Sequence, residues 1–172
     1  MAQRKFKIAL ISDPEIPVPP LLYGGIERII ALLVNAYINL GHEVTLFAHA
    51  DSNTEARLVP YRGKSSNSII DIIKNTVSIN RELYRSKYDV VHSFGRMLYV
   101  LPILRSNVPI IMSYQREPTL SQVKKAMFLS KKNILSFTGC SAYTSKKIEP
   151  YANSYPIFNG VELGKYQFKE VV

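Results

Sequence analysis

The chain has 172 residues, which suits one domain with a core large enough to be stable by itself. Its hydrophobic content of 47% and charged content of 20% are those of a soluble globular protein. The formal net charge of +9 favours anionic partners, namely phosphates, nucleotides, acidic lipid surfaces or nucleic acid.

The single cysteine, Cys140, excludes an intramolecular disulfide framework and suits a reducing compartment. No stretch reaches the roughly 18 apolar residues that a membrane span requires. The apolar run near the N-terminus is too short for a secretory signal. We therefore expect a cytoplasmic protein, and its positive charge leaves peripheral binding to a membrane open.

The chain opens with a strand, a proline-rich loop and a helix. Residues 6–12 form a short apolar run that predicts a buried strand. Four prolines within residues 14–20 exclude both a strand and a helix interior there. Apolar residues then recur at steps of three and four through residues 26–40, which predicts one buried helix face. Gly24 and Gly25 start that helix, where unpaired N–H groups can bind an anion.

The glycine pair has a simpler interpretation as a strand-to-helix turn, and residue types alone do not choose between the two. A dinucleotide-binding fingerprint is not supported, because the pattern Gly-x-Gly-x-x-Gly is absent.

Strands and helices alternate through the rest of the chain. Apolar runs predict further strands at residues 43–48, 57–61, 88–93, 109–114, 133–138 and 155–158. Helical periodicity predicts helices at residues 69–86, 97–105, 119–131 and 141–151. We expect Ser65 or Ser66 to cap the first of these, Thr119 the third and Ser141 the fourth, and Pro102 to kink the second or to lie in its first turn. This alternation predicts an α/β fold with a doubly wound parallel sheet of about six or seven strands.

Ligands bind beyond the carboxyl ends of the strands in such sheets. The sequence places polar, glycine and basic residues at that edge: Asp13 and the proline loop, Gly24–Gly25, His92–Arg96, Gln115–Glu117 and Gly139–Ser141. No P-loop, metal-ligand spacing or Ser-His-Asp order is present among them.

Five segments, in this order, resemble the group 1 (family four) glycosyltransferases. They are PPLLYGGIER at residues 19–28, LGHEVTLFA at residues 40–48, DVVHS at residues 89–93, TGCS at residues 138–141, and FNGVE at residues 158–162 followed by Tyr166. Each segment is weak alone, and the resemblance spans nearly the whole chain.

The resemblance implies a retaining transferase of the two-domain GT-B type, with residues 1–158 as its Rossmann-like, acceptor-side half. The interdomain crossover would begin within residues 159–172. The nucleotide-sugar donor would bind mostly to a C-terminal half that carries paired glutamates and lies beyond this chain, with no metal cofactor. We therefore expect the chain alone to be inactive and residues 163–172 to be poorly packed.

The resemblance also implies roles for particular residues. The family's double glycine approaches the donor phosphate and sugar, and it falls on Gly24 and Gly25. The family often has a histidine near the transferred sugar where this chain has Gln115, which can position sugar hydroxyls but cannot titrate near neutrality. Further candidates for substrate binding are Glu27, His92, Arg96, Arg116 and Ser141.

Simpler structural roles stay open for several of these residues. His92 could be a hydrogen-bonded core-edge residue, the two arginines could be solvated, and Glu27 could pair with Arg28 or Arg116. A group of lysines predicts a solvated helix face or, alternatively, a surface for anionic lipid. They are Lys124, Lys125, Lys131 and Lys132.

Two other functions stay open for the whole chain. A stand-alone anion- or nucleotide-binding domain without catalysis would explain the same edge of the sheet. Nucleic-acid binding rests on charge alone and lacks every recognised motif, so it ranks last.

Overall fold

The structure is a computed structural model that describes residues 4–165. Seven strands form one sheet in which every pairing is parallel, in the order β3-β2-β1-β4-β5-β6-β7. They are β1 Lys7–Ile11, β2 Glu43–Ala48, β3 Arg57–Pro60, β4 Val90–Ser93, β5 Ile110–Tyr114, β6 Leu135–Gly139 and β7 Ser154–Pro156. The predicted doubly wound, Rossmann-like parallel sheet is therefore confirmed.

Helices connect most of these strands. They are α1 Gly25–Asn39, α2 Ile69–Arg85, α3 Met97–Val100, α4 Leu120–Leu129 and α5 Ala142–Ile148, with 3₁₀ turns at Leu101–Ile103 and Leu163–Lys165. No helix among residues 4–165 is long and apolar enough to cross a bilayer.

Local chemistry sets the helix ends, and three predicted boundaries change. The cap of α2 is Ser68, whose hydroxyl accepts from the Asp71 N–H, and not Ser65 or Ser66. The helix predicted over residues 97–105 gives way after Val100 to the 3₁₀ turn that contains Pro102, because proline cannot donate the next helical hydrogen bond. Helix α5 ends at Ile148, because Pro150 has no N–H group with which to donate a further helical hydrogen bond.

Two of the predicted caps occupy their expected positions. Ser141 caps α5, since its hydroxyl accepts from the Thr144 N–H. Thr119 occupies the cap position of α4 without a side-chain hydrogen bond.

The helices pack on the two faces of the sheet unequally. Side chains of β1 alternate, so that Leu10 joins a core with α1 residues Ile30 and Val34. Its neighbours Ala9 and Ile11 join the larger core on the other face. That larger core contains residues from α2, α3, α4 and α5. Helix α1 therefore lies on one face, and the other four helices lie on the opposite face.

The tail beyond Phe158 is described only in part. Leu163 is exposed within the short 3₁₀ turn. Residues 166–172, on which most of the prediction of poor packing falls, lie outside the described residues.

Asn75 of α2 holds the connection between β3 and α2 and provides a stability prediction. The side chain is fully buried, accepts from the Gly63 N–H at 2.8 Å and donates to the Gly63 carbonyl at 3.0 Å. Asn75→Leu keeps the side-chain volume but leaves both Gly63 groups buried without partners. We expect it to lower the free energy of unfolding by about 2–4 kcal/mol in denaturant titrations. Exposed Val77→Ala on the same helix is the control, and equal stabilities would contradict this account.

Candidate functional site

A small polar cavity lies at the carboxyl edge of the sheet. Asp13 follows β1, Arg96 follows β4, and Gln115 and Arg116 follow β5. All four line a cavity of about 90 Å³ together with Glu117. The structure thus brings together two acidic, two basic and one amide side chain from three strand ends.

Asp13 carries the most perturbed charge of this cavity. Burial, and to a lesser extent the nearby Glu15 carboxylate, raise the pKa of its carboxyl group to about 6, against the opposing effect of Arg96 and Arg116. Its Oδ1 atom is buried and has no hydrogen-bond partner among the described residues. Buried polar atoms normally have partners, so this atom is available to a ligand. The sequence pattern places Asp13 at this edge of the sheet but does not identify it as a candidate site residue.

Arg96 is held in place from the loop before α2. Its Nη2 atom donates to Ser66 Oγ and to Asn67 Oδ1, both at 3.1 Å. The Ser66 N–H in turn donates to Glu15 at 2.5 Å. The Arg96 Nε–H group is buried without a partner among residues 4–165, which leaves one donor of the guanidinium for an anion or hydroxyl.

The other cavity residues differ in how strongly the protein holds them. Arg116 is exposed and makes no ion pair with a described residue. Glu117 pairs with Lys147 of α5. Gln115 is half-buried and lines the cavity.

The two glycines at the start of α1 have different roles. Gly24 has φ 147°, and a Cβ atom built there would lie 2.7 Å from Pro20 Cβ and 2.9 Å from Glu27 Oε2. Gly25 has no atom within 4 Å of the same position. Gly24 is therefore required by the turn, whereas Gly25 is free of that constraint.

Glu27 lies buried under this turn. The structure shows no ion pair between Glu27 and either Arg28 or Arg116 among the described residues. Arg28 donates instead to the Leu22 carbonyl at 2.6 Å and so closes the loop before α1.

A larger cavity of about 330 Å³ lies beside Gly25 and Arg28. Its wall is apolar at Val18, Pro19, Pro20, Ile29 and Leu32, and polar at Asn35, Asn53 and Thr54. Sequence reasoning did not identify Asn53 and Thr54 as candidate site residues. Their polarity was the one signal available, and it does not specify a position in space.

His92 and Ser141 lie outside both cavities. The His92 ring contacts Tyr37 Oη at 3.2 Å and Ser113 Oγ at 2.7 Å, and burial lowers its pKa to about 4. The ring is therefore neutral at pH 7, in a buried polar network between α1 and the sheet. Ser141 uses its hydroxyl to cap α5.

Three solved structures of glycosyltransferases superpose on this fold. AviGT4, a glycosyltransferase involved in avilamycin A biosynthesis, superposes with a TM-score of 0.63 at 22% identity, over 94% of this chain and 44% of its own. MurG from Acinetobacter baumannii superposes with a TM-score of 0.60 at 12% identity, over 91% of this chain and 47% of its own. WaaG, a glycosyltransferase involved in lipopolysaccharide biosynthesis, superposes with a TM-score of 0.58 at 10% identity, over 84% of this chain and 41% of its own. The fold is therefore that of one half of a GT-B glycosyltransferase, and the chain spans less than half the length of each of these proteins.

The sequence makes the assignment more specific. The sequence model of Glycosyltransferase Family 4 matches residues 23–135, which is well over half of the chain. This chain belongs to that family. Comparison with curated protein sequences gives no match.

Proposed function

We propose that this chain is the acceptor-side half of a retaining glycosyltransferase that moves a sugar from a nucleotide-sugar to an acceptor. The observation that carries the proposal is the polar cavity that Asp13, Arg96 and Gln115 line at the carboxyl edge of a Family 4 fold. Ligands of open α/β sheets bind at this edge.

The chemistry of glycosyl transfer sets what this cavity has to supply. The acceptor oxygen forms a bond to the anomeric carbon, the bond from that carbon to a diphosphate oxygen breaks, and the acceptor hydroxyl loses its proton. Gln115 cannot take a proton at neutral pH, so its proposed role is to position sugar hydroxyls.

We propose that Asp13 binds the acceptor hydroxyl and accepts its proton. With a pKa of about 6, its carboxyl group is mostly ionised at pH 7 and its free Oδ1 can accept the hydrogen bond or the proton. The free Arg96 Nε–H supplies a donor beside it. Glu117, the other carboxylate of the cavity, is already paired with Lys147.

The donor side is proposed to depend on a second domain. Gly25, at the N-terminus of α1, leaves room for a phosphate or sugar to approach backbone N–H groups. Most contacts to the nucleotide would come from a C-terminal donor-binding domain joined through a crossover that starts at Asn159. A resident metal has no part in this proposal.

The proposed acceptor is a sugar or a lipid-linked molecule, and the proposed location is cytoplasmic and peripheral on a membrane. Nucleic acid is not a proposed partner. A non-catalytic anion-binding domain is the alternative function, because Arg96 and the start of α1 would suit that role as well.

Transfer assays on the 172-residue chain and on its native polypeptide separate these functions. We expect turnover with a nucleotide-sugar only in a native polypeptide that continues into a second domain, with the anomeric configuration retained by NMR. Turnover by the 172-residue chain alone would contradict the division of the site between two domains. A native polypeptide that ends at Val172 and shows no turnover would favour the anion-binding domain.

A further inference from the structure

Helix α2 presents an apolar stripe to solvent. Ile70, Ile73, Val77 and Tyr84 are 66%, 54%, 61% and 69% exposed. Their spacing of three, four and seven residues places them on one side of the helix. The opposite side, with Ile72 and Ile79, is buried against the sheet. This helix is therefore apolar on two faces, and the core covers only one of them.

A row of basic residues borders the stripe. Lys74, Arg81 and Arg85 are exposed and lie about one residue step further around the helix than the stripe. Arg81 and Arg85 make no ion pair with a described residue. The acidic residues of the helix are already engaged, since Asp71 pairs with Lys74 and Glu82 receives Arg57 at 2.6 Å. The exposed side of α2 is thus apolar and positively charged.

We propose that α2 docks this protein on an anionic lipid bilayer. The exposed apolar stripe can insert among the acyl chains of the bilayer. The unpaired arginines beside it can bind the anionic headgroups. The net charge of +9 adds attraction at longer range. A nucleic acid would use the arginines but would leave the isoleucines and valine in water.

The position of α2 connects this surface to the candidate site. The N-terminal end of α2 follows Ser66 and Asn67, which hold the Arg96 guanidinium. The N-terminal end of the docked helix therefore lies near the small polar cavity that Arg96 lines. The link to a lipid-linked acceptor rests on the proposed function, whereas the docking itself does not.

The lysines of α4, which the sequence suggested for this role, are less suited to it. Lys124 Nζ lies 4.3 Å from the centroid of the Tyr151 ring, so it points toward the end of α5. The exposed apolar residues of α4, Phe128 and Leu129, occupy only its last turn. Helix α4 therefore lacks a continuous stripe and offers a matched control.

The first test uses the absence of tryptophan from the sequence. Ile73→Trp introduces the only tryptophan of that variant in the stripe, and Leu40→Trp introduces one at the exposed end of α1 on the opposite face. With vesicles of phosphatidylcholine and phosphatidylglycerol, we expect the Ile73→Trp emission to shift to shorter wavelength and the Leu40→Trp emission to stay unchanged. No shift at Ile73→Trp, or equal shifts at both positions, would overturn the proposal.

The second test compares two pairs of charge removals by vesicle sedimentation. Arg81→Gln with Arg85→Gln is expected to weaken binding roughly thirtyfold, since each basic residue near an anionic surface contributes about a fivefold gain. Lys124→Gln with Lys125→Gln removes the same charge from α4 and is expected to change binding less than about threefold. Equal losses in both pairs would show a purely diffuse charge effect and overturn the assignment to α2.

Two other occupants of the stripe give distinct results. Self-association of the chain without vesicles, abolished by Ile73→Gln, would assign the stripe to a second copy. Binding to duplex DNA that exceeds vesicle binding would assign the basic row to nucleic acid. Either result overturns membrane docking, and neither depends on transferase activity.

Discussion

Asp13→Asn is expected to stabilise the fold at pH 8 while it lowers glycosyl transfer by about a hundredfold or more in the intact enzyme. The loss of transfer follows because an amide cannot take the acceptor proton. The gain in stability follows because the native carboxylate is buried, with its pKa raised from 3.8 to about 6. Replacing a buried, destabilising charge in an active site commonly raises stability and lowers activity.

The sign of the pH dependence follows from proton binding. Between pH 3.8 and about 6, the folded chain holds the Asp13 proton more tightly than the unfolded chain does. The free energy of unfolding of the wild-type chain therefore falls as pH rises through this range. The Asn variant lacks this loss, so it should gain roughly 1–3 kcal/mol over the wild type at pH 8 and nothing near pH 3.5.

Denaturant titrations of the 172-residue chain across this pH range measure the effect. Asp51→Asn, which removes a carboxylate from an exposed loop, is the control. A stability difference for Asp13→Asn that does not change with pH would contradict the burial of this carboxylate. Full transfer activity in the variant would remove Asp13 from the reaction.

Substitutions at Gly24 and Gly25 are expected to have different effects, on stability at Gly24 and on activity at Gly25. Gly24→Ala forces a side chain into φ 147° and to within 2.7 Å of Pro20, so we expect it to cost roughly 2–4 kcal/mol of unfolding free energy. Gly25→Ala meets open space and is expected to change stability by less than about 1 kcal/mol.

Gly25→Val, by contrast, is expected to lower transfer in the intact enzyme by about a hundredfold while the melting temperature stays nearly constant. Its branched side chain projects into the cavity beside Arg28, where a small displacement of reacting groups has a large effect on rate. Melting curves and activity per folded molecule, measured side by side, test this. Undiminished activity would exclude Gly25 from the donor site.

Much of the fold could be predicted because its information is local. The strand Glu43–Ala48 and the first residue of α2, Ile69, lie where the sequence patterns placed them. Alternating elements of the right length imply a parallel sheet, and strand ends imply a ligand edge. Helix ends were less well predicted, because a nearby serine can replace another as a cap at little cost in energy.

The site could be predicted only as a list of residues along one edge. The structure groups Asp13 with Arg96, Gln115 and Arg116, and places His92 in a buried network with Tyr37. Burial and charge neighbours set the pKa of Asp13, and both depend on residues distant in sequence. No spacing in the sequence contains that information.

Helix α2 shows the same division most clearly. The sequence alone predicted a helix over residues 69–86 that is rich in isoleucine, with basic residues between its apolar positions. Periodicity marks apolar positions on two sides of it, and either side could have faced the sheet. Only the tertiary structure decided that Ile72 and Ile79 enter the core while Ile73 and Val77 face water. The physical reason is that burial depends on the elements that pack around a helix. The periodicity of the helix shows which residues share a face, but not which face packs against the sheet.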